Sequence, residues 1–437
     1  MSKKFKDWEY EQVFLFPPSV KDFVPDNHVS HFVRSVVCER LDLRAIMNDY
    51  VEDRGAPPFH PAMMTALLLY AYCQGIRSSR KIARGCEERV DFMVVSGMKK
   101  PDFRTVNKFR LRHIGALEGL FGQVVQLCQE AGLVNLGHVA LDGTKIKASA
   151  AQSTSWKYCD IKEEQKKIRD DIKRWFREAE DIDEEEDRMY GKDKRGDELP
   201  DWVNDKQELS RRLKAAQESL EKKQKGKAQG RREAEKSGKK PKSHKRINEV
   251  PNDTQTCNLT DPESALLKSG PGFIQGYNAQ AAVDRKTQIV VACNASTQAD
   301  VDEFVGMVAQ VKRICGKAPK ELSADAGYCC EHNLKLLKRE KITGYIAASR
   351  DRDAGLDKTL RRNISRGTLV YKMYLKLRRA GRRTRYRLRK STVETFFGIT
   401  KAARGFRQFL LRGEAKVRAE WSLVCMAHNL RKLSQAA

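Results

Sequence analysis

The sequence predicts a mixed α/β domain, preceded by an all-helical N-terminal domain and interrupted by a charged helical hairpin. Three observations predict it. Two apolar runs, Val139-Ala140-Leu141 and Leu322-Ser323-Ala324, end in Asp142 and Asp325, as buried strands do where they reach a sheet edge. The segments around and between them alternate strand and helix periodicity, the order of a mixed sheet covered by helices. From Asp160 to about Ile247 the chain leaves this pattern for a very polar stretch with narrow apolar seams.

Residues 1–135 read as helical. Phe32, Val36, Val37, Leu41 and Ile46 recur at broadly helical spacing. His60-Pro61 starts a second helix, since proline suits the first turn. A third runs from Ser78 through Ile82, Cys86, Val90 and Val94, and a long fourth from Pro101-Asp102 through Phe109, Ile114, Leu120 and Leu127. Their basic residues, among them Arg77, Arg80, Lys81, Arg84, Lys108 and Arg112, suit a helix-turn-helix DNA reader or a plain bundle with a solvated basic face.

The sheet domain takes residues 136–150 and 256–437, and the insertion 151–255. Residues 136–147 are the first strand. In the insertion, Ile161, Ile168, Ile172, Trp175, Ala179 and Ile182 fall on heptad-like spacing, which Leu209, Leu213, Ala216 and Leu220 repeat after a break, an antiparallel helical hairpin. Its second arm ends in Lys222-Lys223-Gln224-Lys225 and Lys239-Lys240-Pro241-Lys242, which reads as flexible. The sheet resumes with a hairpin, Tyr277–Val283 and Gln288–Cys293, then helix Ala299–Ile314, strand Glu321–Asp325, helix Glu331–Arg339 and strand Ile342–Ala347. From Lys358 to Val393 there is no acidic residue, and residues 391–433 read as two helices split at Arg412-Gly413.

A formal charge of +26 over 437 residues favours a nucleic-acid partner, because each Lys or Arg on a phosphate releases counterions. The eleven cysteines are scattered without a Cys-x-x-Cys pair, and the eight histidines do not cluster with them, which argues against a zinc site or disulfide framework. The start, Met1-Ser2-Lys3-Lys4-Phe5, has no signal-peptide core, and the apolar stretch Ala62–Cys73 is too short for a bilayer, so the chain reads as cytoplasmic with no membrane partner.

Asp142, Asp325 and Glu394, which opens a helical pattern, compose a candidate carboxylate trio. Such trios hold divalent metal beside a phosphodiester: carboxylate oxygen suits Mg²⁺, and two ions about 3.5–4 Å apart activate the nucleophile and the leaving oxygen. Asp142, on the central strand, would bridge the ions. Each acid alone also has a plain role, a turn residue at Asp142-Gly143, a cap at Asp325 and a dipole partner at Glu394. Asn278 and Gln280 share one face of a strand expected beside Asp142, where they would serve either the site or a strand network.

With these residues in place, the chain resembles insertion-sequence transposases of the DDE type from bacteria. The resemblance rests on Val139-Ala140-Leu141-Asp142-Gly143-Thr144, Asp261-Pro262-Glu263-Ser264, Gly276-Tyr277-Asn278-Ala279-Gln280, Ala324-Asp325-Ala326-Gly327-Tyr328, Val393-Glu394-Thr395-Phe396-Phe397-Gly398 and Ala427-His428-Asn429-Leu430. It implies a ribonuclease-H-like catalytic domain and Asp142, Asp325 and Glu394 as catalytic triad and metal ligands. Two Mg²⁺ ions, with Mn²⁺ able to substitute, would serve as cofactor. The partners implied are double-stranded DNA, as element ends and target, and a second copy of the chain in the DNA complex, with nucleoid association when bound. Relatives carry a Tyr, Arg and Lys around the glutamate; counted from Glu394, these places fall on Arg387, Lys390 and Lys401, with Tyr386 beside the first. Together with Arg382, Arg383 and Arg385 they are the expected DNA contacts. The activity implied is metal-dependent cleavage at element ends and strand transfer. The rival readings are a nuclease of the same fold without strand transfer and a non-catalytic DNA-binding regulator.

Overall fold

The structure is a computed structural model that describes residues 19–50, 57–190, 201–236, 248–270, 272–348, 365–380 and 384–436. The N-terminal helices are α1 (Val29–Ser35), α2 (Arg44–Met47), α3 (Pro61–Cys73), α4 (Ser79–Glu88), α5 (Val90–Ser96), α6 (Phe103–Arg112) and α7 (Ile114–Glu130). Helix α3 is apolar all round and buried, with Pro61 in its first turn. The third and fourth expected helices are each broken in two. Arg89 takes extended backbone between α4 and α5. His113, between α6 and α7, leaves helical geometry and turns its buried ring to the Tyr50 hydroxyl at 3.1 Å. The expected helix over residues 30–50 also yields to α1, a π-helical turn Val36–Arg40 and α2.

The main sheet has six strands. Its centre is β1 (His138–Lys147), antiparallel to β5 (Gly272–Asp284) and parallel to β7 (Glu321–Ala324), which is followed by parallel β8 (Thr343–Ile346). The far edge of β5 is shared end to end by β4 (Ala265–Ser269) and β6 (Val290–Ser296). Val139, Ala140 and Leu141 are wholly buried because helices cover both faces. This mixed, helix-covered sheet is compatible with the ribonuclease-H-like fold that the resemblance implies.

A second, two-stranded sheet of β2 (Ser155–Lys157) and β3 (Thr256–Asn258) roots α8 (Tyr158–Tyr190) and α9 (Asp201–Lys236). Ile161, Ile168, Leu213, Ala216 and Leu220 pack between the two helices with Tyr158, Cys257 and Leu259, a cluster separate from the main core. Lys222–Lys225 lies inside α9, not in a flexible end: the Lys223 ammonium donates to the carbonyls of Pro262 and Glu263 at 3.0 and 3.2 Å. The side chains of Ala179 and Ile182, and the stretch Lys239–Lys242, lie outside the described residues.

After β6 come α10 (Asp300–Cys315), α11 (Glu331–Arg339), α12 (Leu369–Ala380), α13 (Val393–Gly398) and α14 (Glu414–Ser434). Helix α10 carries Asp300, Asp302 and Glu303 in its first turn, Lys312 and Arg313 in its last, and Gly316 in the left-handed cap, each suited to the helix dipole or its end. Helix α14 is clamped to β6 by Asn429, whose side chain both accepts from the Val290 amide (2.9 Å) and donates to its carbonyl (2.8 Å). On its other side α14 meets α3 and α7, so one apolar core runs without a break from Val33 to Leu433. Among the described residues no helix is long and apolar enough to cross a membrane.

Candidate active site

Strand register brings the two aspartates together. His138 pairs with Glu321 and each following residue with the next, up to Leu141 with Ala324; one further step sets Asp142 beside Asp325. Asp325 directly follows β7, as expected of a strand-end residue, but Asp142 does not: β1 continues five residues beyond it to Lys147, because β5 keeps pairing with it through Gly276. Asp142 is therefore nearly buried, its side chain 15% exposed. Burial pushes its carboxyl up to about 7, against the pull of the Arg389 guanidinium and the Gly143 amide and with a further push from Asp325 and Asp300.

Glu394 arrives from α13. Its neighbours Val393 and Phe396 are fully buried; Phe396 and Phe397 pack on Trp421 of α14, with ring centroids 5.9 and 6.4 Å away, and Phe396 stands edge-on to His428 at 4.9 Å. The Trp421 indole donates to the Gln280 carbonyl on β5 at 2.8 Å, so the helix bearing Glu394 is keyed to the sheet bearing Asp142.

The contact between the acids is an arginine. Arg389 ends a 3₁₀ turn, Arg385–Arg389, and one guanidinium nitrogen lies 2.5 Å from Asp142 Oδ2 while the other lies 2.9 Å from Glu394 Oε1. Tyr386 stands beside it, its ring centroid 5.7 Å from the guanidinium carbon. Tyr386 and Arg389 thus occupy the places that counting back from Glu394 assigns to Arg387 and Lys390, both of which are exposed. Thr392, between Arg389 and Glu394, has a φ of −115° and a ψ of −87°, off the helical path. The Tyr-x-x-Arg spacing of 386–389 was the available signal.

Lys401 reaches the site, donating to the Lys145 carbonyl at 3.1 Å. It lines a cleft of about 500 Å³ beside Glu394 with Lys145, Lys147, Phe397 and Arg407. Burial, with Lys145 and Arg407 nearby, lowers the Lys401 ammonium from its ordinary value. Arg385 is turned away: it pairs with Glu321 at the opposite end of β7. Arg382 and Arg383 lie outside the described residues.

Among the described residues, no three His, Cys, Asp or Glu side chains are grouped as a ready metal site, because Arg389 stands between two of the acids. The donor set nevertheless suits a hard divalent cation. The acids offer only oxygen, and Asp142 and Glu394 already share one cationic group.

Two family models match the chain. Residues 18–112 match the model described as Transposase domain (DUF772), and residues 254–430 match Transposase DDE domain. No curated protein and no solved structure matches. The second match takes in Asp325 and Glu394 together with β5, α10 and α14, while Asp142 precedes it on the strand that β5 and β7 flank. With both matches in chain order around this sheet, the chain belongs to the insertion-sequence transposases of the DDE type.

Proposed function

We propose that this transposase cuts double-stranded DNA at the ends of its element and joins the freed 3′ ends to a target, using Asp142, Asp325 and Glu394 as its metal-holding acids. The observation that carries the reading is the shared guanidinium of Arg389. Its two ion pairs bring carboxylates 252 residues apart in sequence, Asp142 and Glu394, onto one guanidinium, with Asp325 one register step from Asp142, which supports a shared cation site. A pair of Mg²⁺ or Mn²⁺ ions held there would supply nucleophile activation and charge neutralisation at the reacting phosphate.

The chain's own groups do the rest. Lys145, Lys147, Lys401 and Arg407 are like charges crowded along one cleft, an arrangement that a phosphate backbone relieves. With Asp142 and Glu394 on metal, Arg389 would be free to grip a phosphate in two-pronged fashion, which a lysine at position 390 could not do. The aromatic stack under α13 keeps Glu394 within reach during the exchange. Synapsis of two element ends calls for two copies of the chain on DNA. We also propose the division into residues 1–135, 136–150 with 256–437, and 151–255.

The test is Mg²⁺-dependent cleavage of a labelled element end by wild type and Asp142→Asn, beside binding titrations. Asp142→Asn should lose cleavage by orders of magnitude while DNA affinity holds or rises, since a negative charge facing phosphate has gone. Wild-type cleavage by Asp142→Asn would refute the site. A precut end that is bound but never joined would leave a nuclease without strand transfer.

A further inference from the structure

Behind the aspartates lies a polar network that none of the roles above uses. Asp300 opens α10, and its carboxylate fills the space between Gly143 and Gly327, one and two residues after Asp142 and Asp325. A Cβ at Gly143 would stand 2.4 Å from Gln280 Nε2 and 2.7 Å from Asp300 Oδ1; one at Gly327 would stand 3.0 Å from Asp300 Oδ2. A side chain at Gly143 would collide with the Gln280 amide and the Asp300 carboxylate, and one at Gly327 would press on that carboxylate.

Asn278 Nδ2 and Gln280 Nε2 both donate to Asp300 Oδ1, at 2.7 and 2.8 Å, and the Lys145 ammonium lies 3.7 Å away. Gln280 turns its other atom, Oε1, to accept from the Tyr328 hydroxyl. Asn278, Gln280 and Tyr328 are all fully buried. Tyr328 closes the turn that Asp325 opens, and its own carbonyl accepts from Asn333 at 3.0 Å.

The chemistry fixes the direction of this chain of bonds. A carboxylate only accepts, so it forces the Gln280 amide to present NH₂ inward and leaves the oxygen for Tyr328. An amide at position 300 carries no such instruction: it donates as well as accepts, Gln280 can reverse, and Tyr328 then meets an NH₂ group instead of an acceptor.

We infer that Asp300 is a positioning residue for the transposase reaction, acting through Gln280 and Tyr328 to hold the Asp325 turn beside Asp142. The inference rests on the reading of Asp142 and Asp325 as metal-holding acids. The same carboxylate adds negative charge behind the pair and so strengthens its demand for a cation.

The test is Mn²⁺ binding to the full-length chain by calorimetry, with wild type, Asp300→Asn, Tyr328→Phe, their double variant and Asp142→Asn. Outer partners of metal-holding side chains are worth about 10–100-fold in metal affinity. Asp300→Asn and Tyr328→Phe should each weaken Mn²⁺ binding on that scale. The double variant should be no weaker than the weaker single, because both cut one chain of bonds. Cleavage should recover at high Mn²⁺, a shift in metal requirement instead of a lost maximal rate. Wild-type Mn²⁺ affinity in Asp300→Asn and Tyr328→Phe, with binding lost in Asp142→Asn, would overturn this inference alone. Wild-type affinity in Asp142→Asn as well would overturn the functional reading. Should Asp300→Asn fail to fold, Tyr328→Phe decides by itself.

Discussion

Arg389 holds Asp142 and Glu394 with one guanidinium, and the two halves of that contact differ in worth. Asp142 is nearly buried, whereas Glu394 is 41% exposed and its share is screened by solvent. Replacing Arg389 with Ala strands a buried carboxylate, but Asp142 can then take up a proton, so the loss of folding stability should fall below the roughly 3–5 kcal/mol of a broken buried pair. Mg²⁺ should stabilise Arg389→Ala more than wild type, because it no longer displaces a resident cation. Urea unfolding with and without Mg²⁺ measures this, and equal metal stabilisation would show that the two cations do not compete. His428 offers a second test. Burial, with Arg404, Lys432 and Arg431 around it, lowers its imidazole from 6.5 to about 3, despite the bond to the Gln288 carbonyl. A depressed folded value means stability that is full above 6.5 and is lost as pH falls toward 3. Wild type should therefore lose up to about 1.4 kcal/mol per pH unit more than His428→Gln through that window, read from urea midpoints between pH 7 and 4. The two aspartates were legible in the sequence because buried strands leave apolar runs. Arg389 was not, since its contact with both acids depends on the non-helical backbone at Thr392, and Asp300 reads like any acid in a first helical turn.

At the scale of elements, strands and most helices followed from periodicity, including β1, α10, α11 and the hairpin of β5 and β6. The breaks at Arg89 and His113 did not, because no Gly or Pro marks them and the cause at His113 is a distant partner, Tyr50. The hairpin of α8 and α9 stands on its own small core, joined where Tyr158 donates to the Gln255 carbonyl at 2.8 Å and Cys159 to that of Asp253 at 3.3 Å. Its contact with the rest includes Ser219 and Lys223 on the Pro262 carbonyl. Replacing residues 161–249 with a short Gly-Ser linker should thus cost the main fold only about 1–2 kcal/mol, the worth of those hydrogen bonds. Circular dichroism and urea unfolding check the fold, and insolubility of the shortened chain would refute the separation. End-binding affinity should fall with the hairpin gone.

Across the whole molecule, the N-terminal helices and the sheet share one interior. The Cys73 thiol meets the Ala427 carbonyl at 3.5 Å, Arg431 donates to the Cys73 carbonyl at 3.1 Å, and Arg77 reaches the carbonyls of Gln408 and Gly405 beside the basic cleft. Calorimetry of the full chain should show α3, α7, α14 and the main sheet melting in one transition. A fragment of residues 136–437 should expose the apolar side of α14 and fail to unfold cooperatively; a stable, cooperative fragment would contradict the shared core. Here the sequence was least informative, because a change from helical to strand periodicity near residue 135 says nothing about whether two segments bury the same side chains.

The length of the hairpin has a consequence for evolution. Helix α8 has 33 residues and so reaches about 50 Å, close to one and a half turns of duplex at about 34–36 Å per turn. Its root is closed by backbone hydrogen bonds, so a lineage can lengthen or shorten both arms without moving a strand. Every residue added also rotates the tip by about 100°, which makes span and bearing a single inherited variable. Matched additions of about seven residues to each arm nearly restore the bearing while extending the span, so related chains should differ here in heptad steps.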